Sequence, residues 1–401
     1  MPSSHSAKRK LDFVTRAESL AALIKSEAVT TEATGTITAP VIDALKSTEL
    51  FWMAVPKEVS GGGANLLEVI EVIEELSRAD GSTGWAAMAN ILATATASAL
   101  LCDEAINVMF SGAQRAIVAG MFAPVGKAIA AEGGFRLSGR FSFASGSGHA
   151  NWIGAGAQVH RDGRPALLAD GRPEGIFAFL PRENVQFRGN WDVMGLEGTG
   201  SYDYEVPEQV VDSRYTTSYL AEEPKRGGGM FRMGTLAFGC AGHTGVALGI
   251  VKGALEEIAG IAMKKTRAMS KSKIAEHPVF ASEFAYYEAC YQALRRYSLG
   301  VFEEASDAAV REGNLTSLHL ARLRQSTSCL HKVGAEIVRF CHVWSGSAAL
   351  RNPSRLGRCT RDILAATQHV FVEPSTFADA APPLLEAWCN RVGMSGAHDK
   401  H

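Results

Sequence analysis

The sequence predicts an α+β protein in three stretches: an N-terminal helical domain over residues 1–115, a middle β-barrel or sandwich over 116–225, and a C-terminal four-helix bundle over 226–401. Three observations carry this expectation. Apolar residues recur at helical spacing up to about residue 115, at a spacing of two from about 116 to 215, and at helical spacing again from about 231. A Gly- and charge-rich segment, Glu222-Glu-Pro-Lys-Arg-Gly-Gly-Gly229, separates the second stretch from the third. The length of 401 residues also exceeds one ordinary core, since domains average about 150 residues.

In the first stretch Val14, Ala17, Leu20 and Ile24 share one helix face, and Leu66, Val69, Ile70 and Ile73 share another. Thr38 ahead of Pro40 marks a helix start, because Pro supplies a fixed φ where no hydrogen bond is lost. Val59-Ser-Gly-Gly-Gly-Ala64 reads as a turn; a phosphate cradle needs a preceding strand and GxGxxG or GxxxxGK spacing, and it has neither. Strands are expected at 135–143, 152–159, 176–180 and 202–206, between Gly-containing turns. Gly154-Ala-Gly156 lacks the third Gly of a dinucleotide fingerprint and opens no helix. Long helices are expected at 231–264, 278–311, 316–344 and 360–372. In the first of these, Gly242, Gly245, Gly249 and Gly253 lie three or four apart, and each costs up to about 1 kcal/mol relative to Ala. Something must pack closely against that bare face.

Charge removes several function classes. Lys plus Arg (40) nearly balances Asp plus Glu (42), without the basic excess of a nucleic-acid or anionic-membrane binder. The seven cysteines form no CxxC pair, which fits a reducing cytoplasm, and no apolar run follows the basic start as in a secretory leader. Two uncharged runs, 81–102 and 233–251, are diluted by Ser, Thr and Asn or by Gly and His243, so both read as buried bundle helices rather than membrane spans. Cys329, His331, Cys341 and His342 lack metal-ligand spacing and read as ordinary buried thiols and histidines, so no metal is expected. Glu74-Glu75 and Glu256-Glu257 read as solvated helix faces, and Lys264, Lys265 and Arg267 as a basic cluster.

Five motifs fall in order along the three stretches: Ala79-Asp-Gly-Ser-Thr-Gly-Trp85, Phe122-Ala-Pro-Val-Gly126, Gly133-Gly-Phe-Arg-Leu-Ser-Gly-Arg-Phe-Ser-Phe-Ala-Ser-Gly146, Trp191-Asp-Val-Met-Gly-Leu-Glu-Gly-Thr-Gly-Ser201 and Arg361-Asp-Ile-Leu-Ala-Ala-Thr-Gln-His369. Over about residues 15–380 the chain resembles the acyl-CoA dehydrogenase fold superfamily, and more closely its branch of two-component, flavin-dependent monooxygenases. The resemblance implies an oxygenase component that takes reduced flavin (FMNH2 or FADH2) from a separate NAD(P)H:flavin reductase, forms a C4a-hydroperoxide with O2, and oxygenates a small, aromatic substrate. It also implies a homotetramer, an expectation in keeping with the bare glycine face.

A dehydrogenase of this fold needs a carboxylate to take the substrate's α-proton. The two family positions for it hold Val370 and Ala268 here, the latter following Arg267. The monooxygenase branch instead implies His369 and Ser145 as catalytic groups. It further implies Phe122, Phe143, Ser145, Arg267 and His369 at the cofactor, with Arg267 on the flavin phosphate, and Trp85, Asn90 and His149 at the substrate. Asn90 stands where many members carry a His, and an amide hydrogen-bonds but is not a base, which leaves N- or S-oxygenation open beside hydroxylation. A dehydrogenase with an unusual base and a degenerate assembly protein are the remaining alternatives. Asp362 is not expected to orient His369, since seven residues of a continuous helix separate them by about 10 Å.

Overall fold

The computed structural model describes residues 4–112, 114–219, 223–266 and 271–391. The first stretch is α1 (Ser4–Thr34), α2 (Ala39–Ser47), α3 (Leu66–Ala79), α4 (Gly81–Leu100) and α5 (Asp103–Phe110). Ala17, Leu20 and Ile24 of α1 are buried on one face and pack toward α3. The start of α3 is closed by a capping box, in which Asn65 and Glu68 each accept the other's backbone N–H, at 3.0 and 2.8 Å. Asp80 ends α3 and caps α4, its Oδ2 accepting from Thr83 N and Thr83 Oγ1. The uncharged α4 is buried almost throughout, as its composition requires, and no described helix is long and apolar enough to cross a membrane.

The middle stretch is one eight-stranded mixed sheet: β1 (Val118–Ala131), β2 (Gly134–Ala144), β3 (Trp152–Arg161), β4 (Arg164–Pro165), β5 (Gly175–Pro181), β6 (Gln186–Phe187), β7 (Tyr202–Asp212) and β8 (Thr216–Ser218). The order is β6-β7-β2-β1-β3-β5-β8, with β4 on β3. The central pair β1 and β3 runs parallel, and its register breaks between Met121 and Gly126. The alternation-based reading named β2, β3, β5 and β7 but not β1, whose composition shows no regular alternation across that break.

The third stretch is α6 (Gly234–Lys264), α7 (Pro278–Glu312), α8 (Ser317–Ser345), α9 (Ser347–Leu350), α10 (Arg355–Ala366) and α11 (Ser375–Arg391). Its glycine face packs inside the chain. A Cβ on Gly242 would meet Met88 and Leu92, one on Gly245 Ile70 and Ile73, one on Gly249 the Glu74 carbonyl, and one on Gly253 the Arg78 carbonyl. That face is spent on α3 and α4, which corrects its use as a sign of assembly. Gly249→Ala puts a methyl 2.3 Å from Glu74 O and 2.5 Å from Ser77 Cβ. The expected cost is about 2 to 3 kcal/mol, read as a fall in the urea midpoint at unchanged slope.

Two further expectations are corrected. Glu74 and Glu75 are buried rather than solvated: Glu74 accepts from Tyr291 and Arg295, and Glu75 from Arg78 and Lys252. Glu256 and Glu257 are more open, and pair with Arg78 and Arg355. The helix expected at 360–372 instead spans Arg355–Ala366, so Asp362 and His369 do not share a continuous helix; His369 lies in the turn that follows, its N–H directed at Ala366 O. Helix α11, with Pro382 and Pro383 inside it, was not anticipated.

Candidate active site

Strand β2 ends in a strained turn. Phe143 is held at φ 63°, a conformation costly for a residue with a Cβ, and the residue is 60% exposed, its ring perpendicular to that of Trp191. Ser145 N then donates back to Phe143 O, and Gly146 at φ 73° lets Asn90 approach, since a Cβ there would lie 2.3 Å from Asn90 Oδ1. This turn sets Ser145 against α4, where Trp85 Nε1–H donates to Ser145 Oγ at 3.0 Å.

From Ser145 a chain of hydroxyls runs inward. Ser145 Oγ lies 2.7 Å from Ser201 Oγ, which lies 2.7 Å from Thr199 Oγ1, and Thr199 donates to Leu196 O at 2.8 Å. Since Thr199 spends its proton on Leu196, Ser201 must donate to Thr199 and Ser145 to Ser201. Ser145 is left with an accepting lone pair only. The turn that carries Thr199 is itself clamped: Asp362 Oδ1 accepts from Leu196 N at 2.7 Å, Arg361 pairs with Glu197 and Glu32, and Ser82 Oγ accepts from Gly198 N. Burial, reinforced by the neighbouring Asp80, pushes the Asp362 carboxyl up to about 7. The Arg-Asp motif therefore acts on this turn and not on His369.

His369 faces the same group from the third stretch. Its ring centroid lies 5.9 Å from that of Trp85, 5.1 Å from Phe371 and 4.0 Å from His243 of α6, while His243 lies 6.1 Å from His331 of α8. Phe371 N–H is directed at His369 Nδ1 at 3.4 Å, which places the ring proton on Nε2. Burial holds His369 and His331 down to about 4 and His243 well below its ordinary value, so all three rings are neutral at pH 7. Among the described residues, the recorded partners of Trp85, Ser145, His243, His331 and His369 are rings, hydroxyls and backbone, with no carboxylate to serve as a dehydrogenase base.

Neutral burial has a pH consequence. An unfolded imidazole titrates near 6.5, whereas His331 resists protonation until about 4, so between these values the unfolded chain binds more protons. The stability this ring confers is complete above pH 6.5 and is lost as pH falls toward 4. On going from pH 7.5 to 5 the wild type is expected to lose about 2 kcal/mol more than His331→Gln, measured by urea unfolding.

Trp85, Ser145 and His369 thus come together. Asn90 and His149 form a neighbouring pair: Asn90 is fully buried, donates Nδ2–H to Val118 O, and meets His149 Nε2 at 2.8 Å with Oδ1. Burial lowers His149 to about 3, and its Nδ1 is buried without a partner. Phe122 packs on Phe177 and Phe179 over Gly154, and its ring contacts are within the sheet. Arg267 lies outside the described residues. Sequence reasoning missed the roles of His243, His331, Ser201 and Phe371. A signal did exist for His243, the one basic side chain in the apolar run 233–251.

A flat heteroaromatic with a polar edge fits these residues. The strained turn presents the Phe143 ring to solvent, Ser145 offers an acceptor beside it, and His369 offers an Nε2–H donor. Residues 15–106 match the N-terminal domain of acyl-CoA dehydrogenase and residues 241–374 its C-terminal domain. The chain is 30% identical over 345 residues, 86% of each chain, to indole-3-acetate monooxygenase of Pseudomonas putida. It is 31% identical over 296 residues, 69% of each, to the oxygenase component of an FADH(2)-dependent resorcinol hydroxylase from Rhizobium sp.. The fold is that of 3-HSA hydroxylase from Rhodococcus sp., with TM-score 0.85, 21% identity and coverage of 96% and 98%, and of XiaF from Streptomyces sp. solved with FADH2, with TM-score 0.85, 20% identity and coverage of 96% and 97%. The chain belongs to the acyl-CoA dehydrogenase family, within its branch of flavin-dependent monooxygenase oxygenase components.

Proposed function

We propose that this oxygenase component hydroxylates a small aromatic substrate in the recess where Trp85, Ser145 and His369 meet. The observation that carries the reading is the joining of these three side chains, from α4, the end of β2 and the turn after α10, in a group without a carboxylate. Reduced flavin, when bound, supplies the electrons that activate O2. Phe143 would support the flat ring, and Ser145, fixed as an acceptor, suits a reduced ring, which carries N–H groups that the oxidised ring lacks. Trp85, His243 and Phe371 keep the recess dry, so a hydrogen bond from His369 Nε2–H acts in a low dielectric. Trp85 borders the substrate, while Asn90 and His149 hold the β2 turn from beneath.

The aromatic assignment rests on relatives whose names state indole-3-acetate and resorcinol. A separate NAD(P)H:flavin reductase supplies the cofactor, and the assembly is a cytoplasmic homotetramer. Protein, reductase, NADH and 18O2 are to be combined with indole-3-acetate, resorcinol and related rings. One labelled oxygen in the product of at least one ring, with none from labelled water, is the expected result. Consumption of reduced flavin with only H2O2 released across the panel counts against the reading.

A further inference from the structure

Two buried ring nitrogens beside His369 have no partner. His331 Nδ1 lies 2.9 Å from Thr327 O; a carbonyl only accepts, so the proton is on Nδ1 and Nε2 carries a bare lone pair. That Nε2 is buried with nothing bonded to it, and so is Nδ1 of His243, on residues 1% and 2% exposed. Buried polar atoms are ordinarily satisfied, and an orphan of this kind marks a partner supplied by something else.

The pair lies beside the group proposed to hold the substrate. His243 lies 4.9 Å from Trp85 and 4.0 Å from His369, ring to ring. One turn earlier on α6, Gly239 makes room for Phe371, whose ring a Cβ there would meet at 2.1 Å. The preceding residue, Phe238, lines an open cavity of about 480 Å³ whose wall mixes Leu100, Phe177 and Phe231 with the charged Arg172, Glu223 and Arg232. That volume suits a one- or two-ring molecule. Phe238 thus stands in the cavity wall, and the next residue, Gly239, packs on Phe371, whose ring lies 5.8 Å from that of His243.

We propose that His243 and His331 are the part of the substrate chamber that recognises a ring-borne O–H or N–H group, delivered past Phe238 and Phe371 from this cavity. His331 Nε2 can only accept, so the ligand must bring a donor. A hydroxyl satisfies either tautomer of His243, because it both donates and accepts. An aromatic whose heteroatom is methylated brings no donor, leaves His331 Nε2 unsatisfied and is rejected. The device selects by hydrogen bonding and needs no proton transfer, in keeping with rings that stay neutral. It also supplies from α6 and α8 the polar recognition that Asn90, occupied by Val118 and His149, does not offer.

This rests on the proposed function in placing the substrate beside His369, and the test separates the two. Binding of phenol against anisole, and of 2-naphthol against 2-methoxynaphthalene, is measured by anaerobic calorimetry on protein titrated first with reduced flavin. The wild type is expected to prefer the hydroxyl-bearing member by tenfold or more. His331→Leu, which removes the obligate acceptor, is expected to lose most of that preference while keeping its hold on the methylated member, and His331→Gln, whose amide oxygen can accept, to restore part of it. Equal preference in wild type and both variants, or no binding of either hydroxyl compound, overturns the proposal. Failure of reduced flavin to bind while the hydroxyl preference persists would instead remove the flavin reading and leave this one standing.

Discussion

Replacing His369 with Ala is expected to lower product formed per reduced flavin by a factor of about 10² or more, with the missing electrons recovered as H2O2. The size follows from its place. The ring is packed among Trp85, His243 and Phe371, its Nδ1 receives Phe371 N–H, and its Nε2–H is the donor left for a ligand. Removing a donor from a dry, ring-walled site cannot be made good by water without wetting the site. The turn around His369 is held by its own backbone, so the variant should fold and bind flavin; coupling, not affinity, is the quantity that moves. His369→Asn, which keeps a side-chain N–H, is expected to retain more coupling than Ala. Product yield per flavin equal to wild type in the Ala variant would take His369 out of the chemistry.

The largest expected effect on stability lies away from the site. Glu74 is 1% exposed, and its carboxylate is met by Arg295 Nε at 2.9 Å and Tyr291 OH at 2.8 Å. Arg295→Met removes the counter-charge and leaves a buried carboxylate with one neutral donor, at an expected cost of about 3 to 5 kcal/mol. The double variant Glu74→Leu, Arg295→Met leaves Glu71, 3.7 Å from Arg295, as the remaining carboxylate, and is expected to be closer to wild type than Arg295→Met alone, because the desolvation cost of Glu74 disappears with the pair. Urea unfolding of the single and double variants at pH 7.5 decides this. A double variant less stable than Arg295→Met would show that the pair itself, and not the orphaned charge, sets the cost.

The three-part architecture was legible because its signal is physical and repeated: a helix with one buried face must return an apolar residue every three or four positions, and a half-buried strand every two. Strand β1 escaped because it runs parallel to β3 in mid-sheet and breaks register, so alternation is lost. The end of α10 escaped because Thr367-Gln-His369 carries no Gly or Pro to mark it; only the structure shows the backbone tightening there, with Gln368 N reaching Ala365 O. Glu74 and Glu75 misled because a pair of acids on a helix is ordinarily solvated, and the partners that bury them come from α7 and α6, some 180 to 220 residues away in sequence. In the candidate site, motifs singled out Trp85, Ser145 and His369, which the fold brings together. His243 and His331 were not so marked: His243 stood out only as the one basic side chain of an apolar run, and neither helix tells from sequence what its histidine ring will face.

The hydroxyl chain from Ser145 through Ser201 and Thr199 to Leu196 O leaves Ser145 able only to accept. If Ser145 meets the flavin, this polarity favours a reduced ring bearing N–H over an oxidised one, and Ser201 enforces it without touching the ligand. Ser201→Ala frees the Ser145 hydroxyl to turn and donate. Anaerobic titration with reduced flavin, set beside titration with oxidised flavin, measures the point directly. Wild type is expected to bind the reduced form at least tenfold more tightly, about 1.4 kcal/mol, with the ratio falling toward unity in Ser201→Ala chiefly through a gain in oxidised-flavin affinity. A ratio unchanged by that substitution, or a wild type that binds both forms equally, would contradict the placement of the flavin at Ser145.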